Sequence, residues 1–316
     1  MTRAFVFPGQ GAQTIGMGRD LAEAYPAARA VFDAVDAALD EDLSGLIWSG
    51  EAETLTLTRN AQPALMATSI AALRALEAEG VDVARDAAFV AGHSLGEYTA
   101  LVAAGALDLG DAARLLRLRG EAMQAAVPVG QGAMAALLGL GFDDARAVAQ
   151  AAAEGQVCQA ANDNDPTQVV ISGHKDAVER ALPLAKEAGA KRAVMLPVSA
   201  PFHCDLMEPA ARAMAQALDT VDLAAPSVPV VANVTAAPVS DPTQIRALLV
   251  DQVTGSVRWR ESVAAMAAAG VTEVWEIGAG KALSGMIRRI DKTIACRAVG
   301  APADVTAAVQ SLQEEA

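Results

Sequence analysis

Thiols, excess positive charge and long apolar runs are all scarce in this 316-residue chain, and each scarcity removes a class of function. Only three cysteines occur, Cys158, Cys204 and Cys296, far apart and without a CxxC pair. That argues against a disulfide framework and a structural zinc site, and three unpaired thiols suit a reducing cytoplasm. Lys and Arg total 24 against 38 Asp and Glu, a formal net charge of −14. A nucleic-acid binder needs a basic face to neutralise phosphates, so this balance argues against one. Apolar stretches such as 64–76 are broken by Thr68, Ser69 and Arg74 well before the ~18 residues a membrane span needs. The opening Met1-Thr2-Arg3-Ala4-Phe5 lacks the basic and apolar regions of a signal peptide, so secretion is not expected. Repeats, low-complexity tracts, heptads and a long apolar edge are absent too, which makes a monomer the default expectation.

What is present is core-forming material: 53% of residues are hydrophobic, enough for a sizeable interior. At ~150 residues per domain the length suggests two domains or one large α/β unit. Short β-like runs alternate with helical stretches, which predicts an α/β layered fold. Residues 5–7 read as an opening strand, 60–79 as a helix capped by Asn60 with Pro63 in its first turn, and 87–91 as a strand. Helices are predicted over 97–104 and 111–124. A break at Pro128-Val129-Gly130 introduces strand 133–140, helix 143–153, strands 157–161 and 168–172, helix 176–188 and strand 192–197. This β-α-β-β-α-β order is ferredoxin-like. The predicted organisation is therefore a large domain of residues 1–128 and 198–316 around a mostly parallel sheet, with residues 129–197 inserted as a small subdomain. Beyond it, strand 228–234, a helix over 241–252 and strand 274–277 are expected, and residues 313–316 read as a frayed tail.

The sharpest local signal is Gly92-His93-Ser94-Leu95-Gly96, a G-x-S-x-G sequence between a strand and a helix. Such an elbow needs small flanking residues, projects the serine oxygen above the sheet, and sets it at a helix N-terminus. The Leu95 N–H, directly after the serine, is the expected oxyanion donor. A serine nucleophile needs a base, and the chain has three histidines. His93 adjoins Ser94, where neighbouring side chains diverge. His174 reads as part of a surface turn. By elimination His203 is the best base, with a buried structural histidine as the competing reading. No Asp or Glu has a spacing that marks it as a third member, and a carbonyl could equally fix the imidazole tautomer. Arg117 and Arg119 lie two apart on a helix and point to different faces. Either both are ordinary surface arginines or one turns inward to await a carboxylate. The glycine loops 7–13 and 278–283 match neither a phosphate loop nor a dinucleotide fingerprint, so no nucleotide cofactor is expected.

Taken as blocks, the sequence closely resembles the malonyl-CoA:acyl carrier protein transacylases of bacterial fatty acid synthesis, from Phe5 to about Arg289. The blocks are Phe5-Val6-Phe7-Pro8-Gly9-Gln10-Gly11, Gly92-His93-Ser94-Leu95-Gly96-Glu97-Tyr98, Arg119-Gly120 with Met123, Asn162 with the run 168–173, the run Pro197 to His203, Gln252, and Gly278-Ala279-Gly280-Lys281. Acyltransferase domains of polyketide synthases share the pattern, but the chain length is similar to the free-standing enzyme. The resemblance implies an α/β-hydrolase-like large domain, Ser94 as nucleophile, His203 as base, and the N–H groups of Gln10 and Leu95 as oxyanion hole. It implies that the Gln252 carbonyl orients the histidine and that Arg119 holds the malonyl carboxylate. Met123 and Asn162 are implied as cleft-lining residues, and Phe202 as the bulk that disfavours a methyl branch. Malonyl-CoA and acyl carrier protein are the implied partners, with no metal or redox cofactor. Arg117, Lys186, Lys191, Arg192, Lys281, Arg288 and Arg289 are candidates to dock an acidic carrier. A serine esterase or thioesterase on a related fold is the alternative reading.

Overall fold

The computed structural model describes residues 1–315, in which ten strands form two sheets. The larger sheet contains β1 (Arg3–Phe7), β2 (Phe89–Gly92), β7 (Val230–Ala232), β8 (Ala237–Val239), β9 (Glu273–Ile277) and β10 (Ala295–Val299), in the order β10-β9-β1-β2-β7-β8. All its pairings are parallel except the β7–β8 hairpin. β1 lies in the interior of the sheet and every one of its residues is buried. A parallel strand covered on both faces reads as an unbroken apolar run, as Ala4-Phe5-Val6-Phe7 does. Phe5 pairs with Trp275 on β9, and the two rings stack 5.3 Å apart. Because β1, β2 and β9 run the same way, the loops leaving all three emerge at one edge, where ligands of open parallel sheets bind. Helix Thr58–Ala78 packs beside this edge and is buried along almost its whole length.

The second sheet contains β3 (Gly132–Leu138), β4 (Cys158–Asp165), β5 (Gln168–His174) and β6 (Arg192–Met195), in the order β4-β5-β3-β6. Every pairing within it is antiparallel. Helices Phe142–Ala153 and Lys175–Glu187 fall between the strands in the β-α-β-β-α-β order that the sequence predicts, and pack with them into a separate apolar cluster. The outer edge of β4 meets the rest of the chain. Asn162 bridges to Val257, and the Asp163 N–H donates to the Val257 carbonyl at 2.9 Å. Arg260 and Arg289 reach the buried carboxylates of Asp163 and Asp165 at 2.8 and 2.7 Å.

Several expectations need correction. Asn60 is not a cap: the helix begins at Thr58 after Leu57, and the buried Asn60 amide donates to the Thr54 carbonyl at 2.8 Å. A short helix, Ala52–Thr56, leads directly into this one, so Pro63 falls in its second turn rather than its first. His174 ends β5 instead of lying in a surface turn, and its Nδ1 accepts from the Val157 N–H at 3.0 Å. Residues 313–315 belong to helix Pro302–Glu315, while Ala316 lies outside the described residues. Among the described residues no helix is long and apolar enough to cross a membrane.

Candidate active site

The turn after β2 places Ser94 at the start of helix Gly96–Ala103 with a positive φ of 54°, a strained position for a residue with a side chain. The flanking glycines explain how the turn closes. A Cβ on Gly92 would overlap the Gly96 carbonyl, and one on Gly96 would overlap the Phe7 carbonyl at the end of β1. Asn233, just beyond β7, ties the turn from the side. Its Oδ1 accepts from the Ser94 N–H at 2.8 Å and its Nδ2 donates to the Gly92 carbonyl at 2.7 Å.

His203 comes from the segment after β6, also at a positive φ, 59°. Its Nε2 lies 2.8 Å from Ser94 Oγ and its Nδ1 lies 2.9 Å from the Gln252 carbonyl oxygen. A carbonyl only accepts, so Nδ1 carries the proton, and Nε2 is left with a lone pair facing the serine hydroxyl. Burial, reinforced by the positive charge of Arg119, pushes the His203 pKa down to about 3. The ring is therefore neutral and able to take a proton at ordinary pH.

Arg119 is buried at the third corner. Helix Leu109–Ala125 approaches the start of helix Thr58–Ala78 so closely that a Cβ on Gly120 would lie 2.5 Å from the Arg59 Cα. This contact sets Arg119 beside Gln62. Its Nη1 donates to Gln62 Oε1 at 2.7 Å, and its Nη2 donates to Gln252 Oε1 at 2.8 Å and to Ser94 Oγ at 3.2 Å. The guanidinium also lies over the Tyr98 ring, 5.7 Å from its centroid. No carboxylate contacts it among the described residues, so a buried cation beside the nucleophile is held by neutral groups, two amide oxygens, the serine hydroxyl and the tyrosine ring.

These residues line a cleft of about 440 Å³ between the two sheets, together with Gln10, Leu95, Met123, Asn162 and Phe202. The structure thus brings every predicted site residue to one place except Gln252, which sits behind the wall and reaches it through hydrogen bonds. The N–H groups of Gln10 and Leu95 have no hydrogen-bond partner among the described residues. The Gln10 side chain is engaged, with its Oε1 accepting from Thr58 at 3.0 Å. His93 also lines the cleft, but its Nε2 meets Asn164 Oδ1 at 2.8 Å rather than the serine. Arg117 does not point to solvent: it is buried against Asn60, the Arg59 carbonyl and Glu41, which removes it from the docking candidates. Among the described residues, no group of three His, Cys, Asp or Glu side chains could hold a metal ion.

Sequence reasoning assigned no part to Asn233, Gln62 or Glu97. The first two reach the site from far along the chain and carry no local signal. Glu97 stands three residues after the serine, a spacing that places it on the first helical turn.

A fold that brings a serine, a neutral histidine and a buried arginine to one cleft fits an acyltransferase. A family model described as the acyl transferase domain matches residues 4–306. The malonyl CoA-acyl carrier protein transacylase of Bacillus subtilis is 49% identical over 316 residues, covering 99% of this chain and 98% of that protein. The Escherichia coli K12 protein of the same name is 48% identical over 307 residues, covering 97% and 98%. Among solved structures, the acyl-carrier-protein S-malonyltransferase of Bartonella henselae superposes with a TM-score of 0.97 at 56% identity, covering 99% of this chain and all of that one. A malonyl-transacylase solved in complex with its type II polyketide acyl-carrier protein gives 0.95 at 42% identity, covering 98% and 100%. The chain belongs to the malonyl CoA-acyl carrier protein transacylase family.

Proposed function

We propose that this enzyme moves a malonyl group from malonyl-CoA to the phosphopantetheine thiol of acyl carrier protein, with Ser94 carrying the acyl group as an ester between the two halves. His203 Nε2 removes the Ser94 proton as Oγ attacks the thioester carbonyl. The N–H groups of Leu95 and Gln10 stabilise the oxyanion, a role in which one donor is worth ~10²–10³ in rate. The thiolate of CoA leaves with the proton from the imidazolium, whose Nδ1–H stays on the Gln252 carbonyl. The carrier's thiol then attacks the ester, with His203 taking its proton and returning it to Ser94. Every group used belongs to the chain or to its two substrates, so this sequence of steps calls on no cofactor.

The observation that carries the reading is the Arg119 guanidinium, 3.2 Å from Ser94 Oγ and with no carboxylate in contact among the described residues. An acyl group with a free carboxylate at its far end completes that site, and a neutral acyl group leaves a buried charge unpaired. Phe202, at the cleft wall, adds bulk against a methyl branch on the malonyl carbon. Residues 129–197 form, in this reading, a ferredoxin-like subdomain that roofs the cleft, with Met123 and Asn162 lining it. The hydrolase-like character of the large domain is the strand–turn–helix at Ser94. The carrier docks at the cleft mouth, where helix Ala282–Ile290 contributes Leu283 and Met286 to the wall and Lys281 and Arg288 are exposed, while Arg289 is engaged with Asp165. The three free cysteines suit a reducing cytoplasm.

Intact-mass analysis tests both halves. The protein mixed with malonyl-CoA gains a malonyl increment that Ser94→Ala lacks, and phosphopantetheinylated carrier protein removes it. An increment lost to water without an acceptor would make the protein a hydrolase instead, and no increment on folded protein would overturn the malonyl reading.

A further inference from the structure

The proposed chemistry gives no part to Glu97, a carboxylate 3% exposed in the first turn of the helix behind the serine. Its Oε2 accepts from Gln252 Nε2 at 2.7 Å and from the Asn233 N–H at 3.1 Å. Gln252 Nε2 also donates to the Ser94 carbonyl at 2.9 Å, while its Oε1 faces Arg119. The two ends of a glutamine amide are alike in shape, so its partners alone decide which way it points. Turned over, this amide would set NH₂ against a guanidinium and oxygen against two acceptors.

We propose that Glu97 is a positioning residue for acyl-group selection: it locks the Gln252 amide so that the amide oxygen aims Arg119 at the serine. The placement one amide away from the cation is what makes this useful. A carboxylate in direct contact would occupy the donors that a substrate carboxylate needs. Across Gln252 it compensates part of the buried charge and leaves the cleft side of Arg119 open. Burial raises the Glu97 carboxyl to about 7, against the opposing pull of Gln252, Asn233 and Arg119, and Oε2 remains an acceptor whether or not the group is ionised. Tyr98 and Arg119 are the charged or titratable groups facing it.

This inference rests on the malonyl-transfer reading, and its test keeps the two apart. Ser94 acylation is followed by intact mass with malonyl-CoA and, separately, acetyl-CoA. In Glu97→Ala the malonyl rate falls at least ~10-fold, the worth of a hydrogen bond to a charged group, while the acetyl rate holds or rises. Glu97→Gln, which keeps an acceptor oxygen, returns malonyl acylation to within about threefold of the parent. Should Glu97→Ala fail to fold, Glu97→Met retains the volume without an acceptor and serves instead. Equal losses with both acyl groups, no loss with either, or no recovery in Glu97→Gln would each overturn the proposal. A parent enzyme that takes up no malonyl would refute the functional reading itself.

Discussion

At the scale of single residues, the site is governed by two buried basic groups with opposite duties. Arg119 keeps its charge so that a carboxylate can pair with it, whereas His203 is denied a charge so that it can accept a proton. Removing Arg119 as Arg119→Ala leaves Ser94 and His203 in place, so malonyl-CoA acylation is expected to fall ~10²–10⁴-fold, in keeping with the ~3–5 kcal/mol lost when a buried ion pair is broken. Acetyl-CoA acylation should not fall with it, and comparing the two rates separates recognition from chemistry. The His203 shift has a consequence for stability. With the folded pKa near 3 and the unfolded one near 6.5, the unfolded chain binds the extra proton between those values. Stability is therefore lost as pH falls through that window. Chemical denaturation at several pH values should show His203→Gln gaining on the parent as pH drops from 6.5 towards 3. A constant difference between the two would count against a buried neutral histidine.

At the scale of elements, the decisive unit is the strand–turn–helix over 89–103 and its contact with β1. The turn closes only because Gly92 and Gly96 have no side chains, and it is held by Asn233 from a different strand. Gly96→Ala must push apart the turn and the end of β1, at a cost of ~1–3 kcal/mol or more for overpacking backbone on backbone. It should also slow Ser94 acylation, because the Gln10 and Leu95 N–H groups sit on the two segments being separated. Thermal unfolding and acylation rate, measured on one preparation, check both effects. Asn233→Ala leaves the Ser94 N–H and the Gly92 carbonyl without their partners, and is expected to cost ~1–3 kcal/mol by the same assay. The helices were legible from apolar periodicity where they are long, yet their capping was not. Asn60 looks like a cap in one dimension, but the helix starts before it and its amide instead donates to Thr54 at the end of the short preceding helix.

At the scale of the whole molecule, the cleft exists because the β3–β6 sheet is fastened against the larger unit along β4. Two fully buried aspartates carry much of that seam, each facing a partly exposed arginine. Arg260→Met leaves the Asp163 carboxylate buried and unpaired, with an expected destabilisation of ~1–3 kcal/mol near neutral pH. Burial already holds the Asp163 pKa above its ordinary value, with Arg260 pulling it back. Without Arg260 the proton is held more tightly, so the penalty should shrink as pH falls and the carboxyl protonates. Urea titrations of parent and variant at neutral and acid pH would show the gap closing; a gap independent of pH would mean that the ion pair is not its source.

Local chemistry accounts for what could be read along the chain. A G-x-S-x-G turn between a strand and a helix is a property of five consecutive residues, and the apolar run of β1 is equally local. The base could be narrowed to His203 because only three histidines compete, and the family blocks supplied Arg119, Gln10 and Gln252. Direction and company were beyond reach in one dimension. Arg117 and Arg119 look alike along the helix, yet packing closes one against Glu41 and Asn60 and opens the other to Ser94. Asn233, Gln62 and Glu97 join the site only when β7 and three helices converge on the turn. Hydrogen-bond orientation and desolvation depend on which groups meet in space, and that meeting is made by folding.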